Sequence, residues 1–461
     1  MVLRRETEQQ QAGVTAEQLY DADYIAAHPG SLEHFEAARD RFPSGVTHDG
    51  RFTEPFNIVA TRAEGAYKWD VDDNRYIDYV TGHGSLILGH NHPQVIDAVA
   101  EQLQKGTHLG ANHPLELAWA EKVIEIVPSA EVVRFHSSGT EAVMMAVRMA
   151  RNYTSRTTLV QFAGHFHGWG DTAFGGAGGP GLPAALRGIA DVIECGDLDA
   201  VEQALADETA AAVIIETSHP AFFTLPNPTA FLQGLREITE RTGTVLIFDE
   251  VVSGFRWAPG GAQEYYGVTP DLTTLAKILA GGLPGGAVAG RADIVNTLSF
   301  NPQARGGRAK IAHPGTFNAN PLSAAAGVAC LELVSDPKVQ EKATAAASAL
   351  RQGVNRTLRD LEIPGCAYGA VSMVRIALGG DDLPPDSDLL RPIPGSPDGR
   401  EATDDPALRR ALNLGMLMGG VHLFNARAIT SIAHSDEDIA HTVATFGETM
   451  EKMKSVGLLA D

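Results

Sequence analysis

The chain changes its hydrophobic rhythm several times. Up to about residue 40 it is polar with scattered apolar positions (Leu19, Tyr20, Tyr24, Leu32, Phe35), which predicts helices or an arm lying on another surface. Near Ala66 alternation begins. The runs Ala66–Val71 and Arg75–Val80 flank the turn cluster Asp72-Asp73-Asn74, which predicts a β-hairpin. Between about residues 90 and 330 short β-branched runs alternate with long amphipathic ones. The runs Val132–Phe135, Thr158–Phe162, Ala212–Ile215 and Val245–Phe248 predict an α/β architecture, a mostly parallel sheet wrapped by helices. Such sheets bind ligands beyond the C-terminal ends of their strands. After Asp336 an alternating run, Val371–Ile376, precedes a Pro/Gly/Asp-rich stretch from Gly379 to Gly399 and two helical segments, which predicts a smaller α+β domain. The expected division is an N-terminal arm and hairpin over residues 1–80 contributing to the small domain, a large domain over 81–335, and a C-terminal small domain over 336–461.

Composition narrows the function. With 461 residues, 44% of them hydrophobic and 20% charged, the chain is too long for a small stapled module and too apolar to be disordered throughout. Its 36 Lys and Arg against 57 Asp and Glu give a net charge of −21, which disfavours nucleic acid and anionic membranes as partners. The three cysteines, Cys195, Cys330 and Cys366, lie far apart without C-x-x-C spacing, so a disulfide framework or structural zinc is not expected and a reducing cytoplasm is. The start, MVLRRETEQQQ, lacks the apolar core of a secretory signal. The uncharged stretch Ser218 to Leu235 is broken by Pro220, Pro226 and Pro228 and does not read as a membrane span.

Three constellations carry chemistry. In the first, the strand Val132–Phe135 runs through His136-Ser137-Ser138-Gly139-Thr140-Glu141 into an Ala/Met/Val-rich helix. A strand turning at Ser-Gly-Thr into a helix directs free amides, hydroxyls and the positive helix end at one point, which suits a phosphate; the alternative is an ordinary capping box. In the second, the apolar strand Leu246-Ile247-Phe248 ends in Asp249-Glu250, followed by Val251-Val252-Ser253-Gly254-Phe255-Arg256. Asp249 is the better ligand candidate; the plainer alternative has one acid capping the next element and the other pairing with Arg256. In the third, Lys277 lies in the apolar stretch Leu275-Ala276-Lys277-Ile278-Leu279 before Gly281-Gly282-Leu283-Pro284-Gly285-Gly286. Desolvation lowers a lysine's pKa and makes it a nucleophile, whereas a snorkelling surface lysine stays protonated.

A phosphate cradle, an acid for a pyridinium nitrogen and a desolvated lysine are together what pyridoxal 5′-phosphate requires. Opposite unit charges about 4 Å apart at an effective dielectric of about 20 attract by about 4 kcal/mol, or about three pKa units, enough for Asp249 to keep the ring nitrogen protonated. The two H-x-H pairs, His90/His92 and His165/His167, with Asp171 nearby, offer a rival metal-hydrolase reading. They lack a carboxylate at helical ligand spacing.

From about Phe42 to Leu459 the chain resembles the class III (subgroup II) pyridoxal-phosphate aminotransferases of fold type I, and is similar to the glutamate-1-semialdehyde aminomutases. The match lies in Gly89–Pro93, Ser138–Ala142, Gly164-His165-Phe166-His167-Gly168, Asp249–Arg256, Lys277 with its glycine-rich turn, and Gly315–Pro321. The resemblance implies that Lys277 is the Schiff-base residue and Asp249 the pyridinium partner. It implies that Ser138, Gly139 and Thr140 hold the phosphate, that Phe166 and Val251 flank the ring, and that His167 and Glu216 belong to the cofactor site. Glu216 matches the family's acid before a Pro-Val pair, although Thr217-Ser218 follows here. Thr316 is then the hydroxyl that reaches a neighbouring subunit's phosphate, in a homodimer with shared active sites.

The substrate pocket departs from the aminomutases. Arg51, after Ser44-Gly45-Val46-Thr47, stands where they keep a carboxylate-binding arginine, and a guanidinium grips a carboxylate through two parallel bonds. Gly82-His83-Gly84-Ser85 replaces their Ser-Trp-Gly, so His83 takes the place of an indole. The same Gly-His-Gly and Asn112–Glu116 resemble D-phenylglycine aminotransferases, and Ala312–Asn318 resembles β-phenylalanine aminotransferases, whose second arginine corresponds to Asn425 here, with Arg427 close by. The expectation is ping-pong transfer from an aromatic amino donor, α-D or β, to a keto acid; the alternative is intramolecular aminomutase chemistry. The aperiodic glycine-rich run Gly168–Gly181 is read as a gate or a static loop.

Overall fold

A computed structural model describes residues 18–174, 180–186, 188–217, 228–379 and 405–459. Its strands are β1 (Ala60–Glu64), β2 (Tyr67–Asp70), β3 (Arg75–Asp78), β4 (Val132–His136), β5 (Thr158–Phe162), β6 (Ala190–Ile193), β7 (Ala210–Glu216), β8 (Val245–Glu250), β9 (Leu272–Ala276), β10 (Gly286–Gly290), β11 (Gly365–Tyr368), β12 (Met373–Leu378), β13 (Val421–His422) and β14 (Arg427–Ile429). Seven of them form one sheet in the order β4-β10-β9-β8-β7-β5-β6. The neighbours from β6 to β9 pair in parallel, whereas β10 is antiparallel to both β9 and β4. Every residue of β7, β8, β9 and β10 is buried, which is why these strands read as unbroken apolar runs.

Helices cover both faces of this sheet. The helix Gly139–Thr154 buries Ala142, Val143, Met145, Ala146, Val147, Met149 and Ala150, the stripe expected of a 3.6-residue period, against β7 to β10. The helices Leu198–Leu205 and Pro228–Thr242 pack on the other face, where Val213, Ile215, Leu246 and Phe248 meet Val201, Leu232 and Leu235.

The hairpin expected from residue 66 is β2 and β3, with Tyr67 opposite Ile77, and β1 extends it. A link the sequence did not suggest is β13, which pairs in parallel with β3 and joins the two ends of the chain in one sheet. β11, β12 and β14 form a separate antiparallel sheet, backed by the helices Lys338–Asp360, Pro406–Met418 and Asp436–Ser455. The expected N-terminal helices are Asp21–Ala27 and Pro29–Ala38. Among the described residues no helix is long and apolar enough to cross a membrane. Most of the Gly379–Gly399 stretch, residues 175–179 of the glycine-rich run and residues 218–227 lie outside the described residues.

Candidate active site

The C-terminal ends of the central strands come together at one level. Glu216 pairs in register with Asp249, and Asp249 with Thr274. Gly286 of β10 is opposite Ala276 on one side and His136 on the other. Lys277 and the Ser137–Thr140 turn therefore leave the sheet on either side of one residue. Both open onto a cavity of ≈ 520 Å³, which Glu216 and Asp249 also line.

The phosphate end is built from backbone. Ser138 caps the helix Gly139–Thr154 by accepting the Glu141 amide at 3.2 Å, while the Glu141 carboxylate accepts the Ser137 amide at 2.7 Å. This differs from a reciprocal capping box, which returns the acid to the cap's own amide. The amides of Gly139 and Thr140 have no intrahelical acceptor and lie at the positive helix end. Close approach is enforced by missing side chains. A Cβ on Gly139 would stand 2.9 Å from Val251 Cγ2, and one on Gly286 2.3 Å from the Ser138 carbonyl oxygen.

The lysine end is strained and desolvated. Ala276 is extended and Lys277 follows with φ +52°, so the chain turns sharply as the strand stops. Left-handed conformation costs a non-glycine residue about 1–2 kcal/mol, a cost that concentrates at functional sites. Burial pushes the Lys277 ammonium below its ordinary pKa; the attraction of Asp249 and Glu216 opposes this and the positive Arg256 adds to it. Asp249 is buried and fixed on three sides. Oδ2 lies 2.8 Å from His167 Nδ1, and Oδ1 accepts from the Val251 amide and Thr274 Oγ1, each at 3.1 Å. His167 stands behind Asp249, buried, rather than lining the cavity. Glu216 accepts the Phe166 amide, and its own amide donates to His165 Nδ1 at 3.0 Å. Burial and then the neighbouring Asp249 hold the Glu216 carboxyl well above its usual pKa. Phosphate-binding amides, hydroxyls, an acid and an amine facing one cavity fit pyridoxal phosphate.

The remaining wall comes from distant parts of the chain. His83 sits in the turn Thr81–Gly84, its ring stacked on Phe424 at 5.2 Å and edge-on to His48 at 4.7 Å. Burial, with His48, Lys277 and Arg51 nearby, pushes His83 down to about 4, so the ring is neutral at ordinary pH. Met373, Arg427 and Ile429 add the far side from β12 and β14.

Of the residues singled out in the sequence, Ser138, Gly139, Thr140, Phe166, Glu216, Asp249, Val251, Lys277 and His83 line the cavity. Phe166 does so while 57% exposed. Arg51 does not: it lies exposed on the turn Asp49–Arg51 with Nη1 bonded to Thr47 Oγ1 at 3.1 Å. Thr316 is exposed and outside this cavity. Of the plainer alternative for this segment, the cap is present and, among the described residues, the Arg256 pairing with an acid is not. Glu250 instead accepts from the Ala262 amide at 2.6 Å, Gln263 N at 3.1 Å and Nε2 at 3.0 Å, and Ser253 Oγ at 3.2 Å, so it caps the next helix. Arg256 is fully buried and donates to Ser372 Oγ at 2.9 Å, to the Val252 carbonyl at 3.3 Å and to the Gly84 carbonyl. Three of the H-x-H histidines are engaged by the protein itself: His90 bonds Asp78 at 2.7 Å, and His165 and His167 are engaged as above. His48, Phe424, Met373 and Ile429 were not foreseen; the aromatic and apolar residues beside Asn425 and Arg427 were the available signal.

Comparison with known proteins places the chain in a family. The family model described as aminotransferase class-III matches residues 50–181 and 183–449. A glutamate-1-semialdehyde 2,1-aminomutase of Thermomicrobium roseum is 37% identical over 435 residues, spanning 90% of this chain and 96% of the relative. Among solved structures, an omega-transaminase from Sphaerobacter thermophilus is 33% identical with a TM-score of 0.82, covering 93% of this chain and 99% of its own. A β-phenylalanine aminotransferase from Variovorax paradoxus is 29% identical with a TM-score of 0.81, covering 96% and 99%. By the family model, the relative and the solved structures alike, the fold is that of the fold type I pyridoxal-phosphate enzymes and the chain belongs to the class-III aminotransferases.

Proposed function

We propose that the protein moves an amino group from an aromatic amino acid, α-D or β, to a keto acid in two half-reactions at the Lys277 cavity. The observation that carries this is the meeting of Lys277, Asp249 and the start of the Gly139–Thr154 helix in one cavity whose far wall is apolar and aromatic. Bound pyridoxal phosphate supplies an aldehyde for the amino group and a ring that accepts the electron pair left when the donor loses its proton.

The residues divide this work. Lys277 Nζ would hold the cofactor through its aldehyde and, when freed, would take a proton from the donor carbon; its depressed pKa favours the free base. Asp249, held by His167 and Thr274, would be the carboxyl partner of the ring nitrogen. Gly139 and Thr140 amides, with the Ser138 and Thr140 hydroxyls, would hold the phosphate, Phe166 and Val251 would flank the ring, and Glu216 lines the same cavity from β7. For the substrate carboxylate, Arg427 lines the cavity, and Arg51 at its exposed turn is the second cation. His83 and Phe424 receive an aromatic side chain.

Thr316, exposed and away from this cavity, would complete the site of a second copy in a homodimer. The three free cysteines support a reducing cytoplasm. The segments 1–80 and 336–461 are read as one small domain, supported by the pairing of β13 with β3, and 81–335 as the large domain. The aminomutase alternative rests on the Thermomicrobium relative. A donor panel on the holoenzyme, scored by cofactor absorbance with and without pyruvate or 2-oxoglutarate, tests the reading. Turnover that needs an acceptor supports a transaminase; isomerisation of glutamate-1-semialdehyde without one would refute it.

A further inference from the structure

The turn that carries His83 does not hold itself. Thr81, Gly82, His83 and Gly84 have φ of +44°, +61°, +56° and +84°, a run of left-handed residues that includes a β-branched side chain. Such a run persists only where its surroundings over-determine it. At its start Asp78 accepts from the Val80 amide at 3.0 Å and the Thr81 amide at 3.2 Å, and is itself anchored by Lys68 at 2.9 Å and His90 at 2.7 Å. At its end the Gly84 carbonyl accepts from Arg256 Nη2.

Arg256 has no carboxylate within ion-pairing distance among the described residues, although its side chain is wholly buried. Burying an unpaired cation is costly, and a fold retains one where its hydrogen bonds are needed. Its three acceptors share a feature. Gly84 follows His83, Val252 itself lines the cavity, and Ser372 precedes Met373, while Arg256 lies behind the lining. A planar guanidinium fork thus ties together three stretches of wall that are remote in sequence.

We propose that Arg256 is a positioning residue for substrate selection: by holding Gly84, Val252 and Ser372 it keeps His83 and the facing wall where the donor side chain binds. This rests on the aromatic-donor reading above. It assigns Arg256 no contact with substrate.

Arg256→Lys keeps the buried charge and loses the fork. The test uses holoenzyme and two unreactive acids, 3-phenylpropanoate and propanoate, titrated by calorimetry, alongside KM for an aromatic donor and for alanine. The expected result is about a tenfold loss of 3-phenylpropanoate affinity and a matching rise in aromatic KM. Propanoate affinity should change less than about twofold, with the cofactor absorbance band unmoved. Ser372→Ala, which removes one anchor, should give a smaller loss confined to the aromatic acid. An unchanged aromatic-to-aliphatic ratio in both variants, or equal loss for both acids, would overturn the role of Arg256. A wild-type protein with no preference between the two acids would instead refute the aromatic-donor reading.

Discussion

Replacing Gly139 by alanine puts the geometry of the phosphate cradle to a quantitative test. The new Cβ would lie 2.9 and 3.1 Å from the two methyl carbons of Val251, where ordinary carbon contacts are about 3.5–4.0 Å. Val251 must yield by about 0.5 Å or more. Overpacking of this kind costs about 1–3 kcal/mol. Alanine, however, is the better helix former by up to about 1 kcal/mol, and Gly139 is the first residue of its helix. The two effects partly offset, so melting of the cofactor-free protein should shift little. Cofactor binding has no such compensation, because the strain falls between the phosphate-binding amides and a residue facing the ring. We expect affinity for pyridoxal phosphate to fall about 10–100-fold, or about 1.4–2.8 kcal/mol, by titration of dialysed protein. Gly139→Ala should cost less in a Val251→Ala background than in the wild type, since the methyls it meets are gone. Affinity within twofold of wild type, or strictly additive effects, would refute the reasoning.

Three further outcomes are expected. Lys277→Ala should abolish turnover yet still bind pyridoxal phosphate, and borohydride should then fix no cofactor to the protein; turnover, or a labelled peptide from another segment, would contradict the role of Lys277. Because the Glu216 carboxyl is raised in the folded protein, its contribution to stability is full below the unfolded value of about 4.3 and is lost as pH climbs from there through the raised folded value. Cofactor-free Glu216→Gln should therefore melt above wild type at pH 8, with the gap closing toward pH 4; a pH-independent gap would refute this. Arg427→Leu should raise KM for an amino acid about 100-fold and leave 1-phenylethylamine, which has no carboxylate, little affected, by loss of a charged hydrogen-bonded pair. If Arg51→Ala does this instead, the carboxylate sits at the outer turn.

What was readable in the sequence is what a strand end dictates locally. An apolar run ending in Asp249 and another turning at Ser138-Gly139-Thr140 place those residues at strand ends by period and topology alone, whereas Lys277 is legible only as a lysine inside an apolar stretch, its strand Leu272–Ala276 going unread. Residues whose place depends on long-range packing escaped. Phe424, Met373 and Ile429 reach the cavity only because the sheet of β11, β12 and β14 folds against it. In the plainer alternative Arg256 meets an acid near it in sequence. The four donors around Glu250 satisfy that carboxylate, and the chain carries the guanidinium toward Gly84 instead. Gly286–Gly290, made of Gly, Ala and Val, carried too weak a signal to be read as a strand, and its reversed direction leaves no trace in periodicity.

That reversed strand sets a ruler. Because Gly286 neighbours both Ala276 and His136, the strand ends that lead into Lys277 and into the Ser137–Thr140 turn are held two backbone ladders apart, about 9.5 Å across. The spacing is owned by peptide groups, which mutation of side chains cannot stretch. A single inserted residue in β10 would shift its register against both neighbours at once.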